Sequence, residues 1–285
     1  MIRQIAVIGT GTMGRGIAYL SAVAGYDTVI HDVDASALDA ARASVESTLR
    51  KGVEKGKVTQ AIASEAIRRI QLATELEPAV RTADLIIEAV PEDADLKKNL
   101  FSQADLFCPE ETILASNTSS ISITELANSV ERRDRFVGLH FFNPPYVMKL
   151  VEIVRGERTS DETIGEAHEV AERMGKQPIV VRDSPGFATS RLGIAIGLEA
   201  MRMLEDGVAS AEDIDRAMEL GYNHPMGPLR LSDLVGLDVR LSIAEYLAST
   251  LGPRFEPPEL LRRMVREGRF GQKSGKGFYD WNNEQ

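Results

Sequence analysis

Short apolar runs alternate with amphipathic stretches over the first two-thirds of the chain. Ile5–Ile8, Asp27–His31, Asp84–Glu88, Thr112–Ser116 and Pro178–Val181 have the length and bounding residues of strands, several of them buried on both faces. Helical patterns separate them at Ile17–Ala24, Asp34 to about Gly56, Thr59–Ile70, Ala94–Phe107 and Thr163–Met174. Such alternation predicts a parallel, doubly wound sheet. After Asp183-Ser-Pro185-Gly186 the pattern turns helical throughout: Phe187–Glu205, Ala211–Leu220, Leu229–Leu251 and Pro258–Glu267. The expected organisation is an α/β domain over residues 1–184 and an all-helical domain over 185–285.

One stretch departs from the alternation. Two β-rich runs, Arg135–Phe142 and Met148–Val154, flank a Pro144-Pro145 turn, as in a hairpin at the far edge of the sheet. His140 and Glu152 lie equally far from Tyr146 at the middle of that turn. On paired antiparallel strands such residues face each other, about 5 Å apart at Cβ. A carboxylate there fixes the imidazole tautomer and stabilises its charged form, leaving the second nitrogen to act as a base. The plain alternative is a buried histidine satisfied by a neighbour, with Glu152 on a wet face. The position beside Asn143, just past a strand end, favours the functional reading.

Composition narrows the classes. With 43% hydrophobic residues the chain has material for a real core, and one or two domains are expected from its 285 residues. A formal charge of −10 leaves no electrostatic footprint for nucleic acid or an anionic membrane. The single cysteine, Cys108, excludes an internal disulfide framework and fits a reducing compartment. No apolar run reaches the roughly 18 residues of a membrane span. The sequence enters a strand at once, so no signal peptide is expected and a cytoplasmic location is. The four histidines, at 31, 140, 168 and 224, lack metal-ligand spacing, so no metal is expected.

The first strand runs into Gly9-Thr-Gly11-Thr12-Met13-Gly14 and then a helix. Gly9 allows a tight turn, Gly11 the close approach of a pyrophosphate, and Gly14 close helix–strand packing. The amides of the helix start attract phosphate. Asp32 ends the second strand at the distance expected of a ribose-binding carboxylate, and no arginine follows it. This Rossmann-type pattern predicts NAD in preference to NADP; a turn or cap role is the alternative for Asp32. Thr48, Lys51 and Lys55 share one face of the next helix, which by spacing alone is an ordinary solvated face. Ser120 or Ser122 is placed to cap a helix, and Ser210 opens an S-x-x-D capping signal. Ile194, Leu198, Met201 and Leu204 form a helical stripe suited to core or subunit contact.

Three motifs together, the glycine-rich start, GLHFFNP followed by MKLVEIV, and GKGFYDW at Gly275–Trp281, resemble the L-3-hydroxyacyl-CoA dehydrogenase family. The likeness is greatest to its short bacterial 3-hydroxybutyryl-CoA dehydrogenase members and runs nearly the whole chain. It implies NAD-linked oxidation of a 3-hydroxyacyl-CoA, with His140 as base, Glu152 as its partner and Ser119 bonded to the reacting oxygen. It implies cofactor contacts from Glu92, Lys97, Ser119, Asn143 and Lys273, and coenzyme A contacts from the arm carrying Thr48 and Lys55, with Lys51 on the same cationic face. It further implies that the helical domain dimerises and closes the substrate cleft. One departure stands out: where the family commonly has Asn in PGF..NR, holding the acyl oxygens, this chain has Ser190. Rival expectations are a polar substrate such as 3-hydroxyadipyl-CoA, a free hydroxy acid, or an inactive NAD-binding structural homologue. For Lys273, whose segment Gly268–Gly277 holds four glycines, the rival is a flexible tail.

Overall fold

The apolar runs of the first part become strands of one sheet. The computed structural model describes residues 1–282. Its contacts divide the chain into two units, one ending at Ser184 and the other beginning at Pro185. In the first, the chain runs β1 (Gln4–Ile8), α1 (Thr12–Val23), β2 (Asp27–His31), α2 (Ala35–Glu54), α3 (Gln60–Arg69), β3 (Ile70–Ala73), α4 (Leu76–Val80) and β4 (Leu85–Glu88). It continues through α5 (Ala94–Phe107), β5 (Ile113–Ser116), α6 (Ile123–Ala127), β6 (Phe136–Phe141), β7 (Leu150–Arg155), α7 (Asp161–Arg173) and β8 (Gln177–Arg182).

The eight strands lie in the order β3-β2-β1-β4-β5-β6-β7-β8. All pairings are parallel except β6 with β7. From β3 the chain crosses back over the sheet to place β4 on the other side of β1. That reversal makes the carboxyl ends of β1 and β4 a switch point, where open α/β sheets bind ligands. The central strands β4, β5 and β6 are buried at every position, which is why apolar residues predominate in them.

Two expectations are corrected here. The hairpin is not the far edge, because β8 pairs in parallel outside β7. Ile70 does not end a helix but starts β3; α3 passes into this four-residue strand with no Gly or Pro between them. Short polar side chains set the helix starts. Asp34 accepts from the amides of Ser36 and Ala37, and Thr59, Ser122 and Ser160 cap α3, α6 and α7 in the same way.

The second unit contains α8 (Thr189–Glu205), α9 (Ala211–Tyr222), α10 (Pro228–Val235), α11 (Leu237–Leu251) and α12 (Glu259–Arg266). The single helix expected over Leu229–Leu251 is broken at Gly236, whose φ of +107° lies outside helical space and suits glycine. Ile194, Leu198 and Met201 pack with Leu229, Leu247 and Leu261 in this unit's core, so the stripe is core. The glycine-rich C-terminal segment is not a loose tail. Asp233, fully buried, accepts from the amides of Phe278 and Tyr279 and from Trp281 Nε1, each at 2.9 Å. No helix among the described residues is long and apolar enough to cross a membrane.

Candidate active site

Gly9 takes a φ of +102° and turns the chain from β1 into α1. A Cβ on Gly14 would sit 1.9 Å from the Gly9 carbonyl oxygen, so the helix can approach the turn only without a side chain there. At Gly11 the same construction meets nothing within 4 Å, which leaves the face over the helix start open. Asp32 accepts from the Thr10 amide (3.1 Å) and hydroxyl (2.6 Å) through one oxygen, and its other oxygen holds the Asp34 amide. A cleft of about 580 Å³ follows, lined by Gly9–Met13, Asp32, Val90 and Pro91 among others, within the usual range for a small-molecule site. Turn, open amides and carboxylate fit a dinucleotide.

Beside this cleft, the ends of β4 and β5 carry a polar network that sequence reasoning only partly anticipated. Glu88, fully buried, accepts from Lys97 Nζ (2.5 Å), Ser116 Oγ (2.6 Å) and the Val90 amide (2.7 Å). Burial pushes its carboxyl up, against the opposing pull of the Lys97 ammonium and the Ser116 hydroxyl. Lys97 is only 1% exposed, and it also reaches Glu92 at 3.4 Å. Glu92 in turn accepts from Thr118 Oγ1 (2.6 Å), the amides of Ser119 (3.0 Å) and Ser120 (3.2 Å), and Ser120 Oγ (2.9 Å). Burial alone would raise Glu92, but the Thr118 hydroxyl, the Lys97 charge and the Ser120 and Ser119 donors outweigh it, holding the carboxyl below its ordinary value. Glu92 thus clamps the loop that presents Ser119. Ser122 rather than Ser120 caps α6, accepting from the Glu125 amide.

His140 and Glu152 sit directly opposite each other in the β6–β7 register. His140 Nδ1 and Glu152 Oε2 are 2.7 Å apart, and both side chains are buried. The hairpin symmetry about Tyr146 therefore does place the two groups in contact. Asn117, which the sequence did not single out, ties β5 to this strand: its Oδ1 accepts from the Phe141 amide at 2.9 Å. The turn beyond is held from two sides. Pro145 fills the space where a Cβ on Gly16 of α1 would sit, and buried Lys176 donates to the carbonyls of Pro145 (2.5 Å) and Met148 (2.9 Å). Burial lowers the Lys176 pKa. Asn143, at the start of that turn, is exposed. Among the described residues no cluster of three or more potential ligands could hold a metal.

Residues 4–184 match the NAD binding domain of 3-hydroxyacyl-CoA dehydrogenase, and residues 186–281 match its C-terminal domain. The chain belongs to the 3-hydroxyacyl-CoA dehydrogenase family. It is 45% identical over 280 residues to the 3-hydroxybutyryl-CoA dehydrogenase of Clostridioides difficile, covering 98% of this chain and 99% of that one. With the mitochondrial hydroxyacyl-coenzyme A dehydrogenase of Sus scrofa it shares 40% over 288 residues, 99% of this chain and 92% of the other. The crystal structure of (S)-3-hydroxybutyryl-CoA dehydrogenase from Ralstonia eutropha superposes with a TM-score of 0.95 at 43% identity, covering 99% of each chain.

As a 3-hydroxyacyl-CoA dehydrogenase, the chain has an NAD-binding first unit. On α2, Thr48 is half-buried and bonds the Ser44 carbonyl (2.9 Å), whereas Lys51 and Lys55 are exposed. Thr48 borders a groove of about 200 Å³ with Ser44, Tyr146 and Arg15. Arg15 is a cation that the pattern reading missed, since it lies inside the glycine motif's own helix. In the second unit, Ser190 lies on the first turn of α8. Lys273 Nζ pairs with Asp238 at 2.6 Å in a short 3-10 turn, Gln272–Ser274.

Proposed function

We propose that this protein catalyses the reversible NAD-linked oxidation of short-chain L-3-hydroxyacyl-CoA, 3-hydroxybutyryl-CoA foremost, to the 3-ketoacyl-CoA. NAD, when bound, supplies the hydride acceptor for C3. His140 takes the proton of the 3-hydroxyl, and Glu152 fixes its tautomer and balances the charge that develops. Ser119 donates to the 3-oxygen, and Ser190 to the acyl oxygens. Glu92 and Lys97 act by holding the Ser119 loop beside the cofactor cleft, and Asn143 and Lys273 complete the cofactor contacts. Asp32 selects NAD, since a second phosphate on the ribose would meet its carboxylate. Thr48, Lys51 and Lys55, joined by Arg15, form the cationic and polar face for coenzyme A.

The observation that carries this reading is the 2.7 Å His140–Glu152 pair on directly opposed, buried positions. Retention of the pair argues against an inactive structural homologue. The test is NADH consumption with acetoacetyl-CoA against free acetoacetate. Rapid turnover of the thioester and little of the free acid is expected; preference for the free acid would contradict the coenzyme A assignment. The same reading pairs two copies through the helical unit, whose exposed apolar side chains include Leu192 (63%), Leu220 (73%) and Tyr222 (75%). Elution from a sizing column as a single 31.2 kDa chain would contradict that pairing.

A further inference from the structure

The helical unit buries a positive charge that it does not match. Arg240, on the first turn of α11, is only 7% exposed. Its Nε is sealed from solvent and makes no hydrogen bond, and no carboxylate among the described residues pairs with the guanidinium. Burial alone pulls its pKa down to about 10. An unpaired buried cation is costly, and an apolar side chain of similar length would fill the space without that cost. Stability therefore does not account for an arginine here. Breaking a local rule without a structural return marks a position held for function.

The guanidinium points to a definite place. Its terminal nitrogen is 3.3 Å from where a Cβ on Gly193 would be, so it lies against the start of α8. Gly193 is one helical turn from Ser190 on that helix. Serine supplies a single hydroxyl donor, whereas a guanidinium presents five donors in a fixed fork. The first turn of α8 also orients backbone dipoles that favour negative charge. A small donor, a glycine that lets the guanidinium come close and a cation without a partner thus share one helix start.

We propose that Arg240 is a substrate-binding residue that donates to an acyl oxygen beside Ser190, making up for the shorter reach of the serine. This rests on the 3-hydroxyacyl-CoA reading above. The ligand class is the acyl thioester with its carbonyl oxygens, not a coenzyme A phosphate, which the proposed function assigns to α2.

The test uses the full chain with NADH and acetoacetyl-CoA, comparing R240M, R240K and the double variant R240M/S190N. In R240M, kcat/KM for acetoacetyl-CoA falls about 10- to 100-fold, the usual effect of losing a hydrogen bond from a charged group, with KM for NADH unchanged. R240K recovers part of the loss, and S190N in the R240M background recovers at least about tenfold by restoring an amide donor. The melting temperature of R240M stays level or rises, because the unpaired charge has gone. Unchanged kcat/KM in R240M would overturn the proposal, as would a loss that tracks a lower melting temperature or that S190N leaves unrepaired. Failure of the wild-type chain to consume NADH with acetoacetyl-CoA would instead overturn the preceding functional reading.

Discussion

Glu92 shows how one side chain prepares another. Its carboxylate gathers the amides of Ser119 and Ser120 and the hydroxyls of Thr118 and Ser120, so the loop's shape depends on a single charge. Because its carboxyl is held below the ordinary glutamate value, the clamp stabilises the fold fully above that ordinary value and is lost as pH falls through the lowered one. The melting temperatures of wild type and E92Q should thus differ by a constant amount from about pH 7 to about pH 5 and converge at lower pH. A gap that widens on acidification would refute the clamp. The family resemblance placed Glu92 among the cofactor contacts, whereas Glu88 was hidden as the last letter of a largely apolar strand. A buried carboxylate announces itself by position only when its partners are known, and Lys97 and Ser116 come from elements later in the chain. His140 and Glu152 were readable because one hairpin fixes both, and pairing across a hairpin is local arithmetic.

At the level of elements, that arithmetic depends on how β6 lies in the sheet. Gly138 faces Val154 across the pair, and a Cβ there would come within 2.7 Å of Val154 Cβ and 2.9 Å of Ile123. G138V should cost about 1–3 kcal/mol of stability through overpacking, read from urea unfolding, and lower turnover as the His140–Glu152 register shifts. Full stability in that variant would show that the sheet yields easily at this point. Long helices with capping residues, such as α2 and α7, were legible within a residue or two. β3 was not, because four residues are too few to establish a period and no turn residue precedes them. The break between α10 and α11 was hidden for a related reason: Gly236 lies inside an otherwise continuous helical pattern, and a glycine there reads as tolerated as readily as it reads as a stop.

Over the whole molecule, alternation of strand and helix conveyed the sheet, and the change of pattern after Gly186 conveyed the helical unit. What alternation could not convey was strand order: the outermost place of β8 depends on pairing between segments that no local signal links. The helical unit raised the opposite difficulty. Its apolar stripe was visible, but Arg240 looks in sequence like one more polar position on a helix, and only burial without a partner sets it apart.

The account as a whole depends on an imidazole, oriented by its carboxylate, exchanging a proton with the 3-oxygen of the substrate. The most direct measurement is acetoacetyl-CoA-dependent NADH oxidation by His140→Gln, with NADH affinity and melting temperature recorded in parallel. Turnover lower by about 10²–10⁴, with affinity and folding intact, is the predicted result. Turnover within a few-fold of wild type under those conditions would contradict it.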